Sequence, residues 1–115
     1  MHVDPVVLRA FERETAGVLE PALRSWALQA LMAGLEYEDR LQERNRALRA
    51  ALDWLPPERS MAEKVRTIRG AMLAAGRSVK PAHPGVDSFA GCIALALLAR
   101  DKVPNERQLR DILDV

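Results

Sequence analysis

The sequence predicts an all-α fold: a single-domain bundle of about six helices over residues 1–115, with an extended, proline-containing crossover at 77–86 before a buried fifth helix. Three observations carry this expectation. Apolar residues recur at helical spacing along nearly the whole chain. Strand signals are almost absent, with few β-branched residues, no Asn-Gly turn and no sustained alternation. Prolines, glycines and capping residues punctuate the pattern where helices would start and stop.

The first helix begins at Asp4 as N-cap with Pro5 at the first helical position, and Val3 and Leu8 stand at staple spacing across the cap. Its expected apolar stripe is Val7, Leu8, Phe11, Val18 and Leu19, and Gly17 with Glu20-Pro21 marks its end. The second helix, about 21–34, spreads Leu23, Trp26, Leu28, Leu31 and Met32 around most of its circumference and is expected to be central, covered on several sides. The third, about 36–55, has a narrow seam of Tyr37, Leu41, Leu48, Leu52 and Leu55 against a charged remainder. With Glu36/Arg40 and Arg49/Asp53 as i,i+4 pairs, it reads as a surface helix.

Pro56-Pro57 stops the third helix, and the capping box Ser60-Met61-Ala62-Glu63 opens the fourth, with Met61, Val65, Ile68, Met72 and Ala75 on one stripe and Gly76 as C-cap. Pro81 and Pro84 keep 77–86 out of helical geometry, and ten extended residues reach about 33 Å, enough to run back along the fourth helix. Asp87 is the expected cap of the fifth helix, 88–100, whose small residues Ala90, Gly91, Ala94 and Ala96 suit close backbone approach on a helix buried on most sides. The sixth, about 105–115, opens with the Asn105/Gln108 capping box and turns Leu109, Ile112 and Leu113 inward.

Composition narrows the function. A chain of 115 residues buries roughly two-thirds of its unfolded surface, enough to form a core without staples. The single cysteine, Cys92, cannot form an internal disulfide, and its apolar neighbours suit a small buried hydrophobe. The N-terminus lacks a secretory pattern, and the longest apolar run, 89–99, is about half a bilayer-spanning length. A soluble cytoplasmic protein without a membrane partner is expected. Arginine well in excess of lysine (Lys64, Lys80 and Lys102 only), together with abundant alanine, suggests a GC-rich bacterial genome. The net charge of +1 gives no global field for polyanions, so any phosphate contact would need a local patch.

Four groups of residues are candidates for chemistry. Arg59, Lys64, Arg66, Arg69, Arg77 and Lys80 form a cationic face suited to phosphate oxygens, although little aromatic character is interleaved for base stacking. Arg77 and His83 have the bare spacing used by helical metal-independent ribonucleases, where a histidine moves the proton and an arginine steadies phosphate charge. The intervening Pro81 breaks the helix that would preorganise such a pair. Asp39 and Glu43, one turn apart, could share a hard cation, but Arg40 and Arg44 are interleaved with them as on a solvated face. With one cysteine and two distant histidines, His2 and His83, no metal site is expected, and no glycine-rich loop indicates a nucleotide or other cofactor. Trp26, Trp54, Met32 and Tyr37 belong to an apolar surplus that suits a protein interface.

The expected function is therefore a non-catalytic protein interaction or assembly module, with a protein partner or self-association. The alternative is a nucleic-acid-binding accessory using the 59–80 face.

Overall fold

The computed structural model describes residues 2–78 and 82–114. They form six helices and no strand: α1 (Pro5–Thr15), α2 (Pro21–Ala33), α3 (Tyr37–Leu52), α4 (Met61–Gly76), α5 (Phe89–Ala99) and α6 (Glu106–Leu113).

Caps explain most of the boundaries. Asp4 Oδ1 accepts the Val6 N–H at 2.9 Å and Ser60 Oγ accepts the Glu63 N–H at 3.2 Å, which satisfies donors that have no intrahelical partner. At α6 the capping box is reciprocal: Asn105 Oδ1 accepts the Gln108 N–H at 2.8 Å and Gln108 Oε1 accepts the Asn105 N–H at 3.1 Å. Ser88, rather than Asp87, caps α5, its Oγ accepting the Gly91 N–H at 2.9 Å. α1 stops at Thr15, and Gly17, at φ 73°, takes the left-handed turn that leads toward α2. Val18 therefore lies beyond the helix and is exposed, and Val7 also faces solvent.

The largest helix–helix interface joins α3 to α5, with α4 and α6 packed around that pair. Ala47, Leu48 and Ala51 of α3 and Cys92, Leu95 and Ala96 of α5 are all without solvent exposure. This reverses the expected ranks of α2 and α3. α2 buries only Arg24, Leu28 and Met32, and leaves Trp26 and Leu23 to solvent. α3 is central because its buried face is made of alanines and a neutralised carboxylate as well as Leu48, and hydropathy counts that carboxylate as polar.

The carboxylate is Glu43, 1% exposed. Arg9 Nε and Arg46 Nε each donate to one of its oxygens at 2.8 Å, and Arg46 Nη2 reaches Glu12 Oε2 at 2.8 Å. Burial works against the Arg46 charge, but its hydrogen bonds and the charges of Glu12 and Glu43 outweigh it and raise its pKa above the ordinary arginine value. Buried Arg24 extends the network, donating to the Glu12 carbonyl at 2.7 Å and to Thr15 Oγ1 at 3.2 Å. Buried charges persist only when paired in this way, so the cluster fixes how α1, α2 and α3 meet. The i,i+4 pairs expected on α3 do not form: Glu36 contacts His2 Nδ1 at 3.6 Å, and Arg49 donates to the Ile112 carbonyl at 2.9 Å, tying α3 to α6.

The described part of the crossover is held to three elements. His83 Nδ1 hydrogen-bonds Ser25 Oγ of α2 at 2.8 Å, the Val86 carbonyl accepts Trp54 Nε1–H at 3.3 Å, and the Gly85 N–H donates to the Gly91 carbonyl at 3.1 Å. The expected extended stretch at Val79, Lys80 and Pro81 lies outside the described residues.

Candidate binding groove

α5 is apolar around its whole circumference, which at about 100° per residue normally means burial on every side. The structure buries six of its 11 residues and leaves Ala90 exposed, with the other four half-buried. Gly91, Cys92, Leu95, Ala96 and Ala99 fall within one half-turn and are buried. Phe89, Ala90, Ile93, Ala94, Leu97 and Leu98 fall within the other half and line a groove of about 1020 Å³; Ile93 is buried, Phe89, Ala94, Leu97 and Leu98 are half-buried, and Ala90 is exposed. The helix is thus buried on most sides, as expected, and its small residues divide: Gly91 and Ala96 permit close packing inside, and Ala90 and Ala94 form part of an open groove wall.

The opposing wall is the C-terminal half of α4, through Ala71, Ala74, Ala75 and Gly76. Ser25 and Gln29 of α2 close one side, together with Ala82, His83 and Pro84 of the crossover. Ala74, Gly76 and Ala90 are themselves exposed, so the groove is open to solvent. Among the described residues that line it, Asp101 is the one carboxylate and His83 the one imidazole. Trp26 is 67% exposed and does not line the groove.

Among the described residues, the hydrogen bonds of the polar groups around the groove do not form a nucleophile–base–carboxylate chain. His83 bonds Ser25, and among the described residues no carboxylate bonds its other nitrogen. Arg77 is the exposed C-cap of α4, has no hydrogen bond to His83, and does not line the groove. Cys92 is fully buried, and burial, with smaller contributions from the charges of Glu12 and Asp87, pushes its thiol up to about 11. Such a thiol is a poor nucleophile at neutral pH.

The remaining candidates are dispersed. Glu43 cannot join Asp39 around a cation because arginines occupy both its oxygens, and no group of three His, Cys, Asp or Glu with metal-binding geometry occurs among the described residues. Of the cationic face, Arg59, Arg66 and Arg77 are exposed, Lys64 and Arg69 are half-buried, and Arg69 Nε donates to the Pro104 carbonyl at 3.3 Å. Lys80 lies outside the described residues. Of the four expected interface side chains, Met32 is 1% exposed and packs in the core, so it offers nothing to a partner. Trp54 and Tyr37 are about half exposed, and the Arg100 guanidinium sits 5.3 Å from the Tyr37 ring centroid.

Sequence reasoning identified the surplus of apolar surface but not its place. The available signal was α5 itself, whose apolar circumference exceeds what its flanking helices cover. Comparison with protein-family models, curated proteins and solved structures found no match for the chain. No helix of the described residues is long and apolar enough to cross a membrane.

Proposed function

We propose that this protein is a non-catalytic interaction module whose α4–α5 groove docks an amphipathic helix of another protein. The observation that carries the reading is the apolar groove between the C-terminal half of α4 and the partly covered face of α5. Its 11 residues make a wall about 16 Å long, which matches three turns of a partner helix with anchors at i, i+3 or i+4, and i+7. Alanines on both walls leave room for bulky Leu, Ile or Met side chains. A nearly uncharged lining favours an apolar contact face. Small-molecule sites usually enclose most of their ligand, whereas this groove is open and at the upper end of their size range.

A photo-crosslinking amino acid placed at Ala94 in cells tests the reading, with the same group at exposed Glu14 as control. The expected product is a second polypeptide cross-linked through a segment with helical apolar spacing, lost on Ala94→Arg and retained at high salt. Cross-links to a second copy of this chain would replace the partner with self-association. Cross-links no stronger than the Glu14 control, or a complex that dissolves as salt rises, would refute the groove as a docking site.

A further inference from the structure

On a different flank of α4 lies a second concavity of about 370 Å³, lined by Ala62, Val65 and Arg66 of α4 and by Glu106, Arg107 and Arg110 of α6. Sequence spacing gives no hint of it, since the cations come from helices forty residues apart. Among the described residues, the side chains of Arg66, Arg107 and Arg110 form no hydrogen bond or ion pair, in contrast to Arg9, Arg24, Arg46, Arg49 and Arg69, which are all engaged. Three arginines whose side chains have no partner among the described residues therefore line one cleft with a single carboxylate, Glu106, among them.

We propose that this cleft is an oxyanion site that takes a phosphate monoester or inorganic phosphate. Each guanidinium presents a planar fork matched to two phosphate oxygens, and three forks suit a group with a double charge concentrated on one phosphorus. The lining leaves an excess of two positive charges, equal to the charge of a phosphate dianion. A track along nucleic-acid diester phosphates fits less well. The next exposed cation along α4, Arg77, lies about 16 Å from Arg66 along the axis, and Arg69 between them is engaged with the Pro104 carbonyl. Glu106 limits affinity and disfavours anions of lower charge. The site shares no lining residue with the α4–α5 groove and does not depend on that reading.

The test is an NMR titration of the amide spectrum with sodium phosphate against sodium chloride at matched ionic strength, repeated on the Arg66→Gln/Arg107→Gln/Arg110→Gln variant and on Glu106→Gln. Glutamine keeps helix propensity, and a melt of each variant checks the fold. The expected result is a saturable shift confined to the 62–66 and 106–110 amides with phosphate only. Arg66→Gln alone weakens it by about tenfold, and Glu106→Gln strengthens it by about threefold. Equal shifts with chloride, or binding that survives the triple variant, would overturn the proposal. A short single-stranded oligonucleotide with a 5′-phosphate should bind more tightly than the same strand without one. Equal binding by the two would overturn the monoester assignment in favour of diester contacts along the nucleic-acid backbone.

Discussion

Replacing Gly91 and Gly70 separately by alanine should move stability in opposite directions, although both are helical glycines. A β-carbon at 91 would lie 2.5 Å from the Gly85 carbonyl oxygen and 2.9 Å from Ser88 Oγ, while one at 70 meets nothing within 4 Å. Carbon and oxygen in ordinary contact stand ~3.3 Å or more apart, so the 85–88 turn must retreat by roughly 0.8 Å. That retreat strains the Gly85 N–H···O=C Gly91 bond, worth about 1 kcal/mol, and adds overpacking of about 1–3 kcal/mol. Alanine's higher helix propensity returns about 1 kcal/mol at either position.

The net expectation is a loss of about 1–3 kcal/mol for Gly91→Ala and a gain of about 1 kcal/mol for Gly70→Ala. At about 4 °C per kcal/mol for a chain of this size, the two melting points separate by about 8–16 °C, with wild type between them. Thermal melts followed by circular dichroism measure this. Hydrogen exchange at the Gly85 amide, faster in Gly91→Ala, assigns the loss to the turn. A Gly91→Ala protein melting at or above wild type would refute the claim that the crossover is pinned against the first turn of α5.

Glu43→Gln should cost about 2 kcal/mol by urea unfolding, below the full penalty for breaking a buried pair because Arg9 and Arg46 retain solvent contact; a loss under about 0.5 kcal/mol would contradict the structural role of the cluster. Asn105→Ala removes one half of the α6 capping box and should cost about 1 kcal/mol, with Gln108→Ala adding less than its own separate effect because the two bonds are reciprocal. Cys92 gives a pH dependence of defined sign. Its folded pKa of about 11 lies above the ~8.5 of an unfolded thiol, so its stabilising contribution is complete below about pH 8.5 and is lost as pH rises toward 11. The urea midpoint should fall over that window in wild type and fall less in Cys92→Ala.

Helix number, most boundaries and the caps at Asp4, Ser60 and Asn105 were legible in the sequence, because local hydrogen bonding and 3.6-residue periodicity settle them without tertiary information. The ranks of α2 and α3 were not. α3 reads as a surface helix because Glu43, Arg44 and Arg46 interrupt its apolar seam, yet Glu43 is buried by arginines from two helices, and that pairing is visible only after folding. α2 reads as central because Trp26 and Leu23 count as core formers, whereas neither finds a neighbour to cover it. The α4–α6 cleft was illegible for a related reason. Arg66 was placed in a face with Arg59 and Arg77 along one helix, and its actual companions come from α6.

The same physics explains how the chain tolerates an open apolar groove along α5. Exposed apolar area costs roughly 25 cal/mol per Å². A groove walled by leucine and phenylalanine throughout would favour collapse or indiscriminate association. Alanine at 71, 74, 75, 90 and 94 keeps the exposed area per residue small, while Phe89, Leu97 and Leu98 remain only partly accessible along the wall. The cost to the free protein is thereby reduced, but the depth available to a partner's larger side chains is retained. Enlarging the wall with Ala90→Leu and Ala94→Leu should separate these two effects. The variant would fill the groove, folding at least as stably as wild type while losing the helical partner, which is the pattern expected when alanine is placed there for shape and not for packing.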